Sequence, residues 1–345
     1  MKITITSQKG TYDVTDLVPS VKWSGDYQQA ARALDFAVVA SAADESIPVV
    51  DCPLGAGVQM SHAGKVLFDG FIVSRQKSTD ASQISLSCYD RGFYLMRNKA
   101  AYKFVDTTPE AIAAKVAADF GLSVGTIAAT GVPVTRNFIG VQLYKIIATA
   151  YTLASRVTGK QYHIGFEADK LCVREKAPDD RTLILQGKSN LIAVDTTESI
   201  EKMVNAVAVY DQNGALVNTL QNADLIGLYG RMQEAVRQSK NDDKAAEAQR
   251  LLDNGGITQK ITVDCLGNAA NVTGGCVVLR EPYTGLYGLF YIDSDTHEWK
   301  RGQYYNKLVL NFKSIMDEQE AGSLPNASGS KTAGSEERWG FENDE

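Results

Sequence analysis

A β-rich pattern that occurs twice along the chain limits what these 345 residues can fold into. The first copy reads Gly57-Val58-Gln59-Met60, a turn, Leu67–Val73, a second turn, then Ile84–Cys88. The second reads Gly275–Leu279, a turn, Leu286–Ile292, a turn, then Leu308–Phe312. The match sets Gly57 against Gly275 and Phe71 against Phe290. Short strands with inward positions on alternate residues and regular turns suit a small barrel or sandwich. Neither copy carries H-E-x-x-H, G-x-S-x-G or the phosphate-binding G-x-x-x-x-G-K-[ST]. A duplicated unit without such chemistry points to architecture rather than catalysis.

The rest of the chain divides around these copies. Residues 1–104 read as a first β-barrel, with further strands at Lys2–Thr6, Val21–Trp23 and Ala33–Val39. At residue 105 the period changes. Thr107-Thr108-Pro109-Glu110 is a helix start, with Ile112, Val116 and Phe120 at helical spacing and Gly121 as the stop. A second helix is predicted over 141–157, and Tyr162–Phe166 with Leu171–Val173 forms a hairpin. Residues 105–200 thus form an α+β domain. Residues 201–316 read as a second barrel. Its first hairpin, Asn205–Tyr210 with Ala215–Leu220, turns at Asn213-Gly214 and precedes a helical insertion at about 224–254. From 317 to 345 the composition is that of an acidic flexible tail. The fold class is a β-rich α+β multidomain protein, with two related barrels flanking an α+β domain.

Composition excludes several functions. A net charge of −6 argues against stable nucleic-acid binding, which needs a basic face. Residues 322–345 supply −3 of it. No apolar run is long enough for a membrane span, and the first residues read as a strand rather than a secretion signal, so no membrane anchor is expected. Five scattered cysteines without C-x-x-C read as buried small residues. Asp293-Ser294-Asp295-Thr296-His297-Glu298 is the densest set of metal-type ligands. It falls where the repeat places a hairpin tip, matching Arg75–Ser82 of the first copy, so a solvated turn is expected there and no metal or cofactor. The remaining histidines, His62 in a turn and His163 in a strand, have no companion motif. Asn271-Val272-Thr273 and Asn326-Ala327-Ser328 match the glycosylation tripeptide by chance. Tyr283, Tyr287, Tyr291, Tyr304 and Tyr305 suit sheet packing or a subunit interface better than a sugar platform. In the tail, Arg338, Trp339 and Phe341 are candidate partner-docking residues, because aromatics with arginine commonly anchor interfaces.

The stretch Val21-Lys22-Trp23-Ser24-Gly25-Asp26-Tyr27-Gln28-Gln29-Ala30-Ala31-Arg32-Ala33-Leu34-Asp35-Phe36 resembles the start of contractile-tail baseplate hub proteins of Gram-positive prophages and phage-tail-like bacteriocins. Leu67–Val73 with Cys88-Tyr89-Asp90-Arg91-Gly92 fits the same family. So do Thr108-Pro109-Glu110 with Asp119-Phe120-Gly121-Leu122, and Asn205–Tyr210 with Tyr229-Gly230. The likeness covers about residues 1–316 and extends to the late control D proteins of tailed phages. It implies a structural, non-enzymatic homotrimer in the baseplate of a virion or tail-like particle, assembled in the bacterial cytoplasm. Such a trimer joins a six-fold tail tube to a three-fold spike. The implied partners are the tube protein, a separate central spike protein, other baseplate proteins and a tape-measure protein. A cell-wall-degrading or carbohydrate-binding tail-tip protein is the alternative.

Overall fold

The computed structural model describes residues 1–40, 46–78, 82–239 and 244–324. Its first half runs β1 (Lys2–Ser7), β2 (Gly10–Asp13), β3 (Ser20–Asp26), β4 (Ala33–Val39), β5 (Gly57–His62), β6 (Lys65–Lys77) and β7 (Gln83–Asp90). In space these lie in the order β3-β4-β7-β6-β5-β1-β2. Strand periodicity decides which side chains go inward. On β4, Leu34, Phe36 and Val38 are buried, and their neighbours are not. Together with Ile3, Ile5, Met60, Phe68, Ile72 and Leu86 they form one core. Each buried Leu or Ile contributes roughly 1.5–3 kcal/mol.

An α+β unit follows: α1 (Gly92–Arg97), β8 (Lys99–Thr107), α2 (Pro109–Asp119), β9 (Ser123–Ile127), β10 (Val134–Gln142), α3 (Leu143–Thr158), β11 (Tyr162–Glu167) and β12 (Lys170–Glu175). The helix signals read from the sequence operate here. Thr108 is extended, Pro109 opens the first turn, and Gly121 turns left-handed at φ 65°. Gly159 ends α3 the same way at φ 72°. Helix α3 carries the unit, with Leu143, Ile146, Ile147, Ala150 and Tyr151 inside its core. The Tyr151 hydroxyl donates to the Ala128 carbonyl at 2.8 Å.

The second half comprises β13 (Leu183–Gln186), β14 (Leu191–Ser199), β15 (Ala206–Tyr210), β16 (Leu216–Gln221), α4 (Ala223–Tyr229), β17 (Gln233–Arg237), α5 (Ala245–Asn254), β18 (Thr258–Leu266), β19 (Cys276–Glu281), β20 (Leu286–Lys300) and β21 (Gln303–Asn311). The spatial order β14-β18-β21-β20-β19-β13 repeats β3-β4-β7-β6-β5-β1 of the first half. Both copies carry a register shift at the same place, between Ile72 and Ser74 on β6 and between Ile292 and Ser294 on β20. The shared bulge corrects the sequence alignment by one residue. Phe71, paired with Gly57, corresponds to Tyr291, paired with Cys276.

Other expectations also change. The modules are not closed barrels. They are joined through β3 and β20 into one 13-stranded sheet that ends openly at β14 and β2. Strands β13 and β14, read from sequence as part of the α+β stretch, pair with β19 and β18 of the second module. The hairpin β15–β16 is not in the second module's sheet. With β17 it forms a separate three-stranded sheet over α5, so the insertion between β14 and β18 includes strands as well as helices. Residues 317–324, expected to be flexible, dock on the α+β unit. Tyr144 donates to Asp317 at 2.9 Å, Thr152 and Thr149 accept the amides of Gln319 and Ala321, and Asn137 pairs with Ser323.

The Asp90-Arg91-Gly92 segment locks the exit of β7. Asp90 accepts the amides of Arg32 at 3.1 Å and Gly92 at 2.9 Å. A Cβ on Gly92 would lie 2.5 Å from the Ala30 carbonyl oxygen and 2.7 Å from the Ala31 Cα, both backbone atoms. Gly92→Ala is therefore expected to destabilise the protein by about 1–3 kcal/mol, seen as a lower thermal midpoint, whereas Gly187→Ala, in an open turn without a left-handed backbone, leaves the midpoint nearly unchanged.

Candidate assembly site at the joint between the modules

The joint is an antiparallel ladder in which β3, at the edge of the first module, pairs with the second half of β20. Its register runs from Ser294 opposite Asp26 to Lys300 opposite Ser20. Long β20 makes this possible. Its first half pairs with β19, and its second half lies between β21 and β3. Trp299 reaches from β20 into the first module's core, so the two halves share apolar contacts as well as backbone bonds.

Under this ladder lies a buried ion pair. The Arg32 guanidinium forks onto Asp295, with Nη1 at 2.9 Å from Oδ1 and Nη2 on Oδ2. The same carboxylate accepts the Thr273 amide and hydroxyl, each at 2.6 Å, and lies 3.1 Å from His297 Nε2. Burial alone would raise the Asp295 pKa. The Arg32 charge and the bonds from His297 and Arg32 outweigh it and hold the carboxyl far below its usual range. His297 Nε2 also lies 3.1 Å from the Asn271 carbonyl, and Nδ1 meets Tyr304 Oη at 2.6 Å and Asn306 Nδ2 at 2.8 Å. That set fits an Nε2–H donor and an Nδ1 acceptor. Trp23 covers the cluster, 4.6 Å from the His297 ring and with Arg32 4.0 Å from its centroid.

The expected solvated hairpin tip at Asp293–Glu298 is therefore overturned. The segment lies mid-strand. Asp295 is 2 % exposed and His297 0 %, because the hairpin turns later, between Lys300 and Gln303. The ligand-type side chains are engaged by protein groups. Asp293 accepts from Lys176 at 3.3 Å and from Asn311 at 3.0 Å, and Asp295 is filled by Arg32 and Thr273. Among the described residues no cluster of three or more His, Cys, Asp or Glu is arranged to hold a metal ion. Lys176 is itself buried and donates to the Ile315 carbonyl at 2.8 Å, tying the second module to the segment that returns to the α+β unit.

The other candidates scatter. His62 ends β5 and packs against Trp299 and Tyr304. His163 lies on β11, where burial lowers its pKa to about 3. All five cysteines are free and buried, and burial pushes the Cys276 thiol up to about 11 and Cys265 up to about 12. Asn271 is 1 % exposed and bonded to Asn306 at 3.0 Å, which removes it as a glycan acceptor. The tyrosines do not converge. Tyr304 stacks on Trp299 at 4.1 Å inside the joint, while Tyr283 is exposed at the β19–β20 turn. Arg338, Trp339, Phe341 and Asn326 lie outside the described residues. Sequence reading missed Arg32 and Thr273 as partners of Asp295. Their only signal was an arginine in the segment that carried the family resemblance.

Breaking the pair leaves a buried cation without its counter-charge. Asp295→Asn should cost about 3–5 kcal/mol at pH 7, measured by chemical denaturation. A depressed carboxylate pKa stabilises the fold above the unfolded value near 4, and that stability is lost as pH falls below it toward the folded pKa. The gap between wild type and Asp295→Asn should therefore be full at pH 7 and shrink below about pH 4.

Known proteins share this framework. The chain is 25 % identical over 308 residues to the phage-like element PBSX protein XkdQ of Bacillus subtilis (strain 168), covering 87 % of this chain and 94 % of that one. The fold matches the 43 kDa tail protein of prophage MuSo2 from Shewanella oneidensis with a TM-score of 0.69 at 14 % identity, over 92 % of this chain and all of that one. It also matches a tail protein from Neisseria meningitidis MC58 with a TM-score of 0.63 at 16 % identity, over 92 % of this chain and 99 % of that one. The YQBQ-like family model matches residues 21–311, most of the chain including both modules and the joint, and the protein belongs to that family.

Proposed function

We propose that this protein is the structural hub of a contractile-tail baseplate, a homotrimer that adapts a six-fold tail tube to a three-fold central spike. One observation carries the reading. Each chain holds two units of the same strand order, joined edge to edge by the β3–β20 ladder. Three chains then present six similar units to the tube on one face and keep three-fold order on the other. The similarity to a protein named for a phage-like element, and to two solved structures named as tail proteins, supports this placement.

On this reading the tube protein meets one face of the ring and a separate spike polypeptide the other. Other baseplate proteins flank it, with Arg338, Trp339 and Phe341 as a docking segment for one of them. The chain is made in the bacterial cytoplasm and works in the virion or tail-like particle. Its modest negative charge lets DNA or a tape-measure protein pass through the ring without sticking. The buried, mutually bonded state of Asp295 and His297 and the dispersed tyrosines favour this reading over a wall-degrading enzyme or a sugar-binding tip.

Cryo-microscopy of assembled particles should find three copies at the end of the tail tube. Six copies, or a position in the sheath, would sink the proposal. The purified chain should leave peptidoglycan intact on zymograms, whereas clearing abolished by one acidic substitution would establish the enzymatic alternative.

A further inference from the structure

Two of the open strand edges are the counterparts of the two edges that meet inside the chain. On β20, Ser294–His297 pair with β21 on one side and β3 on the other. The bulge equates these residues with Ser74–Lys77 on β6, which pair with β7 on one side and with no strand on the other among the described residues. In the second module, β14 corresponds to β3. Like β3 it pairs with one internal strand, β18, but among the described residues its outer edge is bare. Thr196 opposes Ile261 on β18 as Trp23 opposes Leu34 on β4, which fixes the equivalence of β14 and β3. Both bare runs are exposed, Ser74–Lys77 on β6 and Asp195–Glu198 on β14. Bare exposed edges of this kind are templates for strand addition.

Resting on the trimeric reading above, we infer that β14 of one copy adds antiparallel to the free end of β6 of the next copy, repeating between chains the ladder that β3 and β20 make within one. The two edges do not pair within the chain, where β18, β21, β20, β3, β4 and β7 stand between them in the sheet, so the occupant is a second copy. Transferring the internal register sets Ser74 opposite Ser199, Arg75 opposite Glu198, Gln76 opposite Thr197 and Lys77 opposite Thr196. The charges then complement. Arg75 faces Glu198 directly and Lys77 reaches it diagonally, while β14 carries Asp195 and Glu198 and no cation from Leu191 to Ser199. The contact is head-to-tail, with different surfaces from each partner, and such contacts form rings when the rotation closes.

Oxidative cross-linking of the full chain tests this, both purified and in tail particles from producing cells. Cα atoms of directly opposed strand residues fall within disulfide range. Mixing Gln76→Cys with Thr197→Cys chains should give cross-linked dimers, and neither variant should cross-link with itself. The chain carrying both should give a ladder ending at three copies. Thr196→Cys in place of Thr197→Cys should fail, because a one-residue shift turns the side chain to the other face. Arg75→Glu should weaken self-association about three- to tenfold, and Arg75→Glu with Glu198→Arg should restore it. Absence of the 76–197 bond in both settings, equal bonding to residue 196, or self-bonding of Gln76→Cys would overturn the pairing. Three copies in the particle without that bond would reject this interface and leave the hub standing. The bond with a ladder running past three would keep the interface and reject the trimer.

Discussion

The architecture depends on one short ladder with a charge beneath it. Backbone bonds between β3 and β20 are non-specific in themselves, since any exposed strand edge offers them. Arg32 and Asp295 make the contact particular to one register. Their fork needs Gly25 opposite Asp295, because a Cβ there would lie 2.3 Å from Arg32 Nη1. A buried ion pair adds little net stability over an apolar core of the same size, yet removing one member is costly. Such a pair therefore acts less as glue than as a key, admitting one alignment and penalising its neighbours. Trp299, set into the opposite module's core, gives the joint its apolar contribution.

The α+β unit is held to this platform by polar threads rather than by a shared sheet. Lys176 bonds to Asp293 and to the Ile315 carbonyl, and the segment after Met316 runs back across α3. Chain connectivity and these contacts join the three parts, whose cores meet where Trp299 enters the first module's core and Ala30 that of the α+β unit.

Much of this was legible in the sequence. Strand alternation marked β4, β5 and β19, and Thr108-Pro109 and Gly121 marked α2, because those signals act over a few residues. The duplication was visible for the same reason. Its register was off by one, since runs of similar apolar residues match almost equally well at neighbouring offsets, and only the pairing around the shared bulge fixes the alignment. The polar run at Asp293–Glu298 misled because the repeat set a hairpin tip there, whereas β20 runs on to Lys300 before it turns. Burial of that run depends on Arg32, which is 263 residues away, and on a strand from the other module, neither of which local pattern can reveal. The 105–200 boundary left residues 183–199 with the α+β unit, although they pair as β13 and β14 in the second module, because pairing partners are chosen by the folded core and not by neighbours in the chain.

The segment between β14 and β18, with its own small sheet and helix, interrupts only the second module. Units that share a strand order therefore do not share an outline. Set such chains side by side and plain and ornamented units alternate, so the array carries half as many landmarks as it has positions. A partner that reads the common framework counts every unit, and one that reads the ornament counts every other. The surplus segment is thus a means of changing the count.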